Sequence, residues 1–468
     1  MPDQDPPELG ASSDGSRGVD VVPFRDALRT WFAISLQTFG GPAGQIAVMQ
    51  RTLVDEKRWI GHQRFLHALS FCTLLPGPEA QQLAIYIGWL LNGVRGGLTA
   101  GILFVLPGVL ALLGLSAIYV SSGNSEVVTA LFAGLGAAVL AIVVQAVARL
   151  GGRALGHPAL VALAVGAFAA LALFGVGFPV VIAVAAVVGW ALGRWAPNSV
   201  RNRGHAASRD DGPAPLIPDD ALHAERPSRR HATRILAIGV VAWGVPVAAT
   251  LALTGRHSVL SEQSLFFSGA ALVTFGGAYA VLAYVAQKAV EVYGWLGPSD
   301  MVRGLALAET TPGPLIMVVE FVAFVGAYRD PGTLDPWVAA VIAALLTTWV
   351  TFVPCFVFIF LGAPYVERLR GNATISAALT GITAAVVGVI ANLAVYFALH
   401  TLFSETYAWS WGPVRLTLPE PGSLRPVPLV IACVAAVLIF RLRWSVLRTL
   451  AVCAALGVLS ALIPLGPS

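Results

Sequence analysis

Long apolar blocks alternate with short polar turns along most of this chain. LTAGILFVLPGVLALLGLSAIYV (98–120) and VVTALFAGLGAAVLAIVVQAV (127–147) carry no charge over lengths that cross a bilayer, for which about 20 apolar residues suffice. Roughly thirteen hydrophobic segments follow from the same pattern, which predicts an all-α polytopic membrane protein. Four segments, at 27–50, 65–91, 263–287 and 301–327, are interrupted by helix breakers: TFGG in two, PGP in the other two. Proline and glycine end helices. At membrane depth an open backbone is tolerated only where protein buries it or it lines a water-filled cavity.

The breaks are written twice. TFGG at 38–41 recurs at 274–277, a shift of 236 residues. That shift also carries Trp59 and Gly61 onto Trp295 and Gly297, and Leu69 onto Leu305. Pro76, Gly77 and Pro78 fall on Pro312, Gly313 and Pro314. Farther on, VLP (105–107) matches FVP (352–354) and GLGAAV (134–139) matches GITAAV (381–386), now at a shift of 247, so an insertion lies near RDPGTLDPW. Matching halves with helix breaks at equivalent positions describe a transporter whose site lies between the repeats.

Charge decides whether the repeats are parallel or inverted. The window 25–64 carries Arg25, Arg29, Arg51, Lys57, Arg58 and Arg64, whereas its counterpart 261–300 carries Lys288 alone. Conversely, the loop at 121–125 has no base, while its counterpart holds Arg368 and Arg370. Arg149 ends a span whose counterpart has Tyr396. Cytoplasmic loops collect Lys and Arg, so the pattern predicts inverted-topology halves. Segments near 157–174, 178–194 and 235–254 separate the two cores, and an odd number of crossings turns the second core over. The expected division is a disordered cytoplasmic tail (1–23), a first repeat (24–194), a cytoplasmic linker (195–234), a connecting span (235–260) and a second, inverted repeat (261–468). The N-terminus is then cytoplasmic and the C-terminus external. Whether the four broken segments cross or dip in and return stays open; positive charge on both sides of 27–50 favours return.

A helix that starts after a break presents free N–H groups and the positive end of its dipole, a setting suited to anions. Four such ends meeting near the midplane fit a compact oxyanion better than a sugar or an amino acid. Candidate contacts are Gln45, Gln81 and Gln82 in the first half and Thr310 and Thr311 in the second, whose amides and hydroxyls can donate. Glu79 and Glu309 flank the two PGP motifs and are proton-coupling candidates, with helix capping as the structural reading of Glu79. Glu320 is a third. Arg51 and Lys288 end the TFGG segments and are countercharge candidates, against the plain reading of interfacial snorkelling.

Composition agrees with the class and narrows the function. The chain is 57% hydrophobic and only 12% charged, where a soluble domain has about a quarter of its residues charged. A net charge of +4 is explained by loop arginines without invoking nucleic acid. Cys72, Cys355, Cys433 and Cys453 all fall in apolar stretches, so neither a disulfide nor a metal site is expected. No dinucleotide fingerprint or haem or iron–sulfur spacing stands in the chain, so no cofactor is expected and a membrane-embedded reductase is disfavoured.

FGGPAGQIAVMQ, LLPGPEAQQLAIYIGW and FVLPG in the first half, with TFGGAYAVLAYVAQ, GWL and AETTPGPLIMVVEFVAFVGAY in the second, closely resemble the chromate ion transporter family in its long-chain, two-domain form. The resemblance covers residues 24–400. It implies an inner-membrane exporter conferring chromate resistance, with proton coupling, and it carries family motif positions onto Phe39, Gly40, Gly41 and Pro42, onto Pro76, Gly77, Pro78 and Glu79, and onto Phe275, Gly276, Gly277, Pro312, Gly313 and Pro314. The second half departs at Ala278, where the FGGP pattern has proline, and at Glu320, where glutamine is expected. Sulfate or another oxyanion, moved inward or outward, is the alternative. The partners expected are the lipid bilayer, the anion and, left open, a second copy in a homodimer.

Overall fold

A computed structural model describes residues 20–39, 41–122, 125–197, 215–218, 229–275, 277–363 and 373–462. The tail to residue 19, most of the linker, Gly40, Gly276, Arg368 and Arg370 lie outside the described residues.

The described chain is helical apart from one hairpin. The first half contains α1 (Phe24–Ser35), α2 (Gly41–Gln50), α3 (His62–Cys72), α4 (Glu79–Ser122), α5 (Glu126–Ala154), α6 (Pro158–Ala172) and α7 (Phe178–Trp195). After α8 (Arg229–Thr254), the second half contains α9 (Val259–Val273), α10 (Ala278–Gln287), α11 (Pro298–Thr310), α12 (Val318–Arg329), α13 (Pro336–Gly362) and α14 (Ala373–Leu402). It closes with α15 (Pro426–Ala436) and α16 (Val446–Leu462). Among the described residues, six helices are long and apolar enough to cross a membrane: α4, α5, α7, α8, α13 and α14. Large apolar side chains point outward from them, Leu110 at 63% exposure and Leu253 at 84%. In water such a surface would be costly; against lipid it is the favourable one.

The two halves share a backbone plan. α4 bends at Asn92 and Gly93, where φ turns to 60° at the glycine. Its first arm, 79–91, is the counterpart of α12, and its second, 94–122, of α13. In the second half that bend becomes a connector at 330–335, and α13 begins five residues early. Connector and added turn together absorb the difference between the shifts of 236 and 247. Pro107 in α4 and Pro354 in α13 are equivalent, each inside its helix.

The last two helices of each half pack on the other half. α16 crosses α5 at Gly134 and Gly457, where a Cβ on Gly134 would overlap the Cys453 carbonyl. α7 crosses α14 at Gly189 and Gly381, where a Cβ on Gly381 would meet the Ala185 carbonyl. Gly134 and Gly381 are equivalent under the shift of 247, so the same close crossing is made twice. Small residues let membrane helices approach to backbone contact, which is how they gain packing energy without a hydrophobic driving force.

Between α14 and α15 stands a hairpin, Thr406–Trp411 paired antiparallel with Val414–Pro419. Tyr407, Trp409 and Trp411 occupy one face of it, exposed.

Candidate functional site

Each broken segment of the second half folds back on itself. α11 descends to the second PGP and α12 returns, so that Asp300 near the start of one meets Arg329 at the end of the other, Nη1 to Oδ2 at 2.7 Å. Tyr119 of α4 donates to the same carboxylate, and Arg303 donates to the Tyr119 hydroxyl at 3.1 Å. Likewise α9 and the segment after α10 meet at their open ends: Trp295 lies against Phe266 and Phe267, and Gln263 reaches the Ala323 carbonyl of α12. Both the TFGG and the PGP elements of the second half are thus helix–break–helix pairs with their ends on one face.

At the breaks, Gly41, Gly77, Gly277 and Gly313 have φ of 74°, 124°, 98° and 104°. Only glycine takes such angles without strain, which is why the motif repeats there. Two main-chain hydrogen bonds join the breaks across the halves. The Gly77 N–H donates to the Thr274 carbonyl at 2.8 Å, and the Gly313 N–H donates to the Thr38 carbonyl at 3.0 Å. Under the 236-residue shift these are one bond made twice, from the PGP of one half to the TFGG of the other. The two bonded pairs also approach each other, Gly41 of the first TFGG facing the Tyr279 hydroxyl just after the second, so the four interruptions meet. α4 and α13 roof them in the same way: Gly108 lies against Pro312 and Gly313, and its equivalent Cys355 lies against Gly77.

Helices α2, α4 and α10, and the 3-10 turn Leu315–Met317 that leads into α12, start at these breaks. The first N–H groups of a helix have no partner within it, so α4 presents those of Glu79, Ala80 and Gln81 toward the junction.

The polar side chains divide into engaged and unengaged. Gln45, buried, donates through Nε2 to the Gly313 carbonyl at 2.5 Å. Gln82 donates to the Pro76 carbonyl at 2.7 Å, bracing its own break. Thr310 and Thr311 donate to the Leu307 and Ala308 carbonyls, closing the end of α11; their hydroxyl protons are committed there. Tyr279 donates to Glu309 at 2.5 Å, while the other carboxyl oxygen of Glu309 is buried without a partner. Gln81 is fully buried on the first turn of α4, and neither its amide nitrogen nor its oxygen has a partner. Glu79 begins α4, half-buried. Phe39, Pro42, Pro78, Phe275 and Pro314 lie in or beside the interruptions and shape them.

Arg51 and Lys288 stand apart from the junction's interior. Each opens a π-helical turn following α2 or α10. Arg51 is exposed, with Gln37 at 3.1 Å and Glu56 at 3.5 Å. Sequence reasoning did not single out the hydroxyl ladder of α13. Thr348 donates to Glu320 at 3.0 Å, Thr351 donates to the Thr347 carbonyl, and the Thr347 hydroxyl is buried unpartnered. The run LLTTWVTFVPC, three threonines just ahead of the repeated proline, was the available signal.

A family model described as chromate transporter matches residues 25–190 and 262–458. The chromate transport protein of Pseudomonas aeruginosa is 33% identical over 360 residues, 76% of each chain. That of Cupriavidus metallidurans is 27% identical over 78% of this chain and 80% of its own. A probable chromate transport protein of Synechococcus elongatus is 27% identical over 86% of this chain and 91% of its own. No solved structure matches the chain. The relatives are named as transport proteins, the class expected from the broken, repeated segments.

Proposed function

The chain belongs to the chromate transporter family, and from that premise we propose that it exports chromate by alternating access through the junction of its four helix breaks. The observation that carries this reading is the reciprocal pair of bonds, Gly77 to Thr274 and Gly313 to Thr38. A site made from equivalent pieces of both halves is what repeat-against-repeat movement needs, because the same backbone can open to either side.

The anion meets neutral donors. Free N–H groups at the start of α4 and the unpartnered amide of Gln81 supply hydrogen bonds and a positive dipole end; Gln45 and Gln82 hold the breaks in shape. The PGP and TFGG segments carry no central arginine, so the dianion is bound loosely enough to leave. The membrane potential supplies drive: expelling a charge from a negative interior is worth about 2.3 kcal/mol per 100 mV, twice that for a dianion.

Inverted halves fit the fold-back of the broken pairs. With these pairs returning to their own face, α4 (second arm), α5, α6, α7, α8, α13, α14, α15 and α16 cross the membrane. The N-terminus and linker then lie in the cytoplasm and the C-terminus outside, in the plasma membrane. Arg149, Arg153, Arg194, Arg441 and Arg443 all fall on the cytoplasmic side in this arrangement, in keeping with the positive-inside rule.

The test is accumulation of radiolabelled chromate in everted vesicles, energised and not, with excess sulfate present. Energy-dependent accumulation that sulfate leaves intact supports chromate export. Accumulation of sulfate in place of chromate makes this an oxyanion exporter of different selectivity, and no accumulation of either overturns export.

A further inference from the structure

One carboxyl lies at membrane depth outside the four breaks. Glu320 of α12 is fully buried; Oε2 accepts from Thr348 of α13 and Oε1 has no partner. The equivalent residue of the first half is Ala84, so the second half carries here a carboxyl that the first lacks. The position is also well connected. Glu320 follows the second PGP by little more than the turn Leu315–Met317. Its partner helix α13 runs seven residues on from Thr348 to Cys355, about 10 Å, where it covers Gly77 of the first PGP.

Among the described residues nothing nearby neutralises it. The helices packed on α12 bring Tyr119 from α4, Glu262 from α9, Asp300, Arg303 and Glu309 from α11, and Cys355 from α13, and α12 itself ends in Arg329. Asp300, Arg303, Arg329 and Tyr119 bond to one another, and Glu309 bonds to Tyr279. A buried carboxylate and a dianion one or two turns apart repel strongly in a low dielectric, and each therefore disfavours the other. A proton on the carboxyl removes the conflict.

Building on the transport reading above, we propose that Glu320 is a proton-binding site coupled to the anion site, taking up one proton when the dianion binds and giving it up when the anion leaves. Coupling of this kind is reciprocal: protonation raises anion affinity, and the anion raises proton affinity. The bookkeeping is one O–H bond formed on a Glu320 oxygen with a proton from solution, and the same bond broken on release. Only one half carries the group, so one proton accompanies each anion, the net charge expelled is one, and the electrical drive is half that of the bare dianion.

The experiment measures chromate binding to the purified full-length protein in lipid nanodiscs from pH 7 to 9, for the wild type and Glu320→Gln. Both share chromate's own titration, so their difference isolates the side chain. In the wild type the dissociation constant should climb by up to about tenfold per pH unit relative to Glu320→Gln, the limit for one linked proton. Parallel profiles overturn the proposal. Thr348→Val, which keeps the carboxyl but removes its donor, should move the wild-type climb to higher pH, and an unmoved profile also counts against the site. If Glu320→Gln does not fold, Glu320→Ala, which restores the first-half residue, serves instead. Wild-type protein that binds no chromate at any pH overturns the transport reading and this inference together, whereas chromate binding with parallel profiles overturns the inference alone.

Discussion

Gln81 separates ligand binding from packing more sharply than any other residue here. A buried amide with both ends unpartnered costs about 1–3 kcal/mol, and a fold that merely needed to be stable would place leucine there. Gln81→Leu should leave the melting temperature of the purified protein unchanged or raise it, while weakening chromate binding at least tenfold. Retained affinity would remove the amide from the site. The positions of such residues could be read from the sequence, because the glycines of TFGG and PGP must recur wherever the backbone takes a positive φ. Their partners could not. Whether Thr310 and Thr311 offer protons to an anion or spend them on the Leu307 and Ala308 carbonyls depends on how α11 ends. Two glutamines one residue apart, Gln81 and Gln82, likewise differ only in which of them reaches Pro76.

Among elements, the broken segments were legible as interruptions, and their fold-back only as a preference, from the positive charge on both sides of 27–50. Apolar length cannot tell a full crossing from a descent and return; the contact between Asp300 and Arg329 can. The hairpin at 406–419 was missed for a related reason. TYAWSW is too short and too aromatic to read as a span, and strands are unexpected in an otherwise helical chain, yet alternation places its three large rings on one face. The crossings at Gly134 and Gly381 were visible as a repeated motif, but not as contacts between halves. Because they are equivalent, they should respond alike. Gly134→Leu and Gly381→Leu each drive a side chain into a backbone carbonyl, at a cost of about 1–3 kcal/mol. Both should lower the melting temperature by similar amounts, and one substitution being tolerated would mean that the crossings are not equivalent.

At the scale of the whole molecule, the proposed inversion of the halves makes a concrete statement about sides. With exposed Cys433 replaced by serine, Arg256→Cys and Arg415→Cys should react with an impermeant maleimide added to intact cells, and Arg153→Cys only after permeabilisation. Labelling of Arg153→Cys from outside would overturn the inversion. The exchange of terminal helices has a further meaning, in time rather than in space. α5 is complete early in synthesis, but its partner surface on α16 is made some 300 residues later. Until then the small-residue face around Gly134 is open to lipid or to whatever else the insertion machinery offers. A first half made alone lacks the surface that covers α5, and α14 must find α6 and α7 already waiting. The close packing of α5 therefore waits on a helix made long after it, and each half is completed by helices of the other.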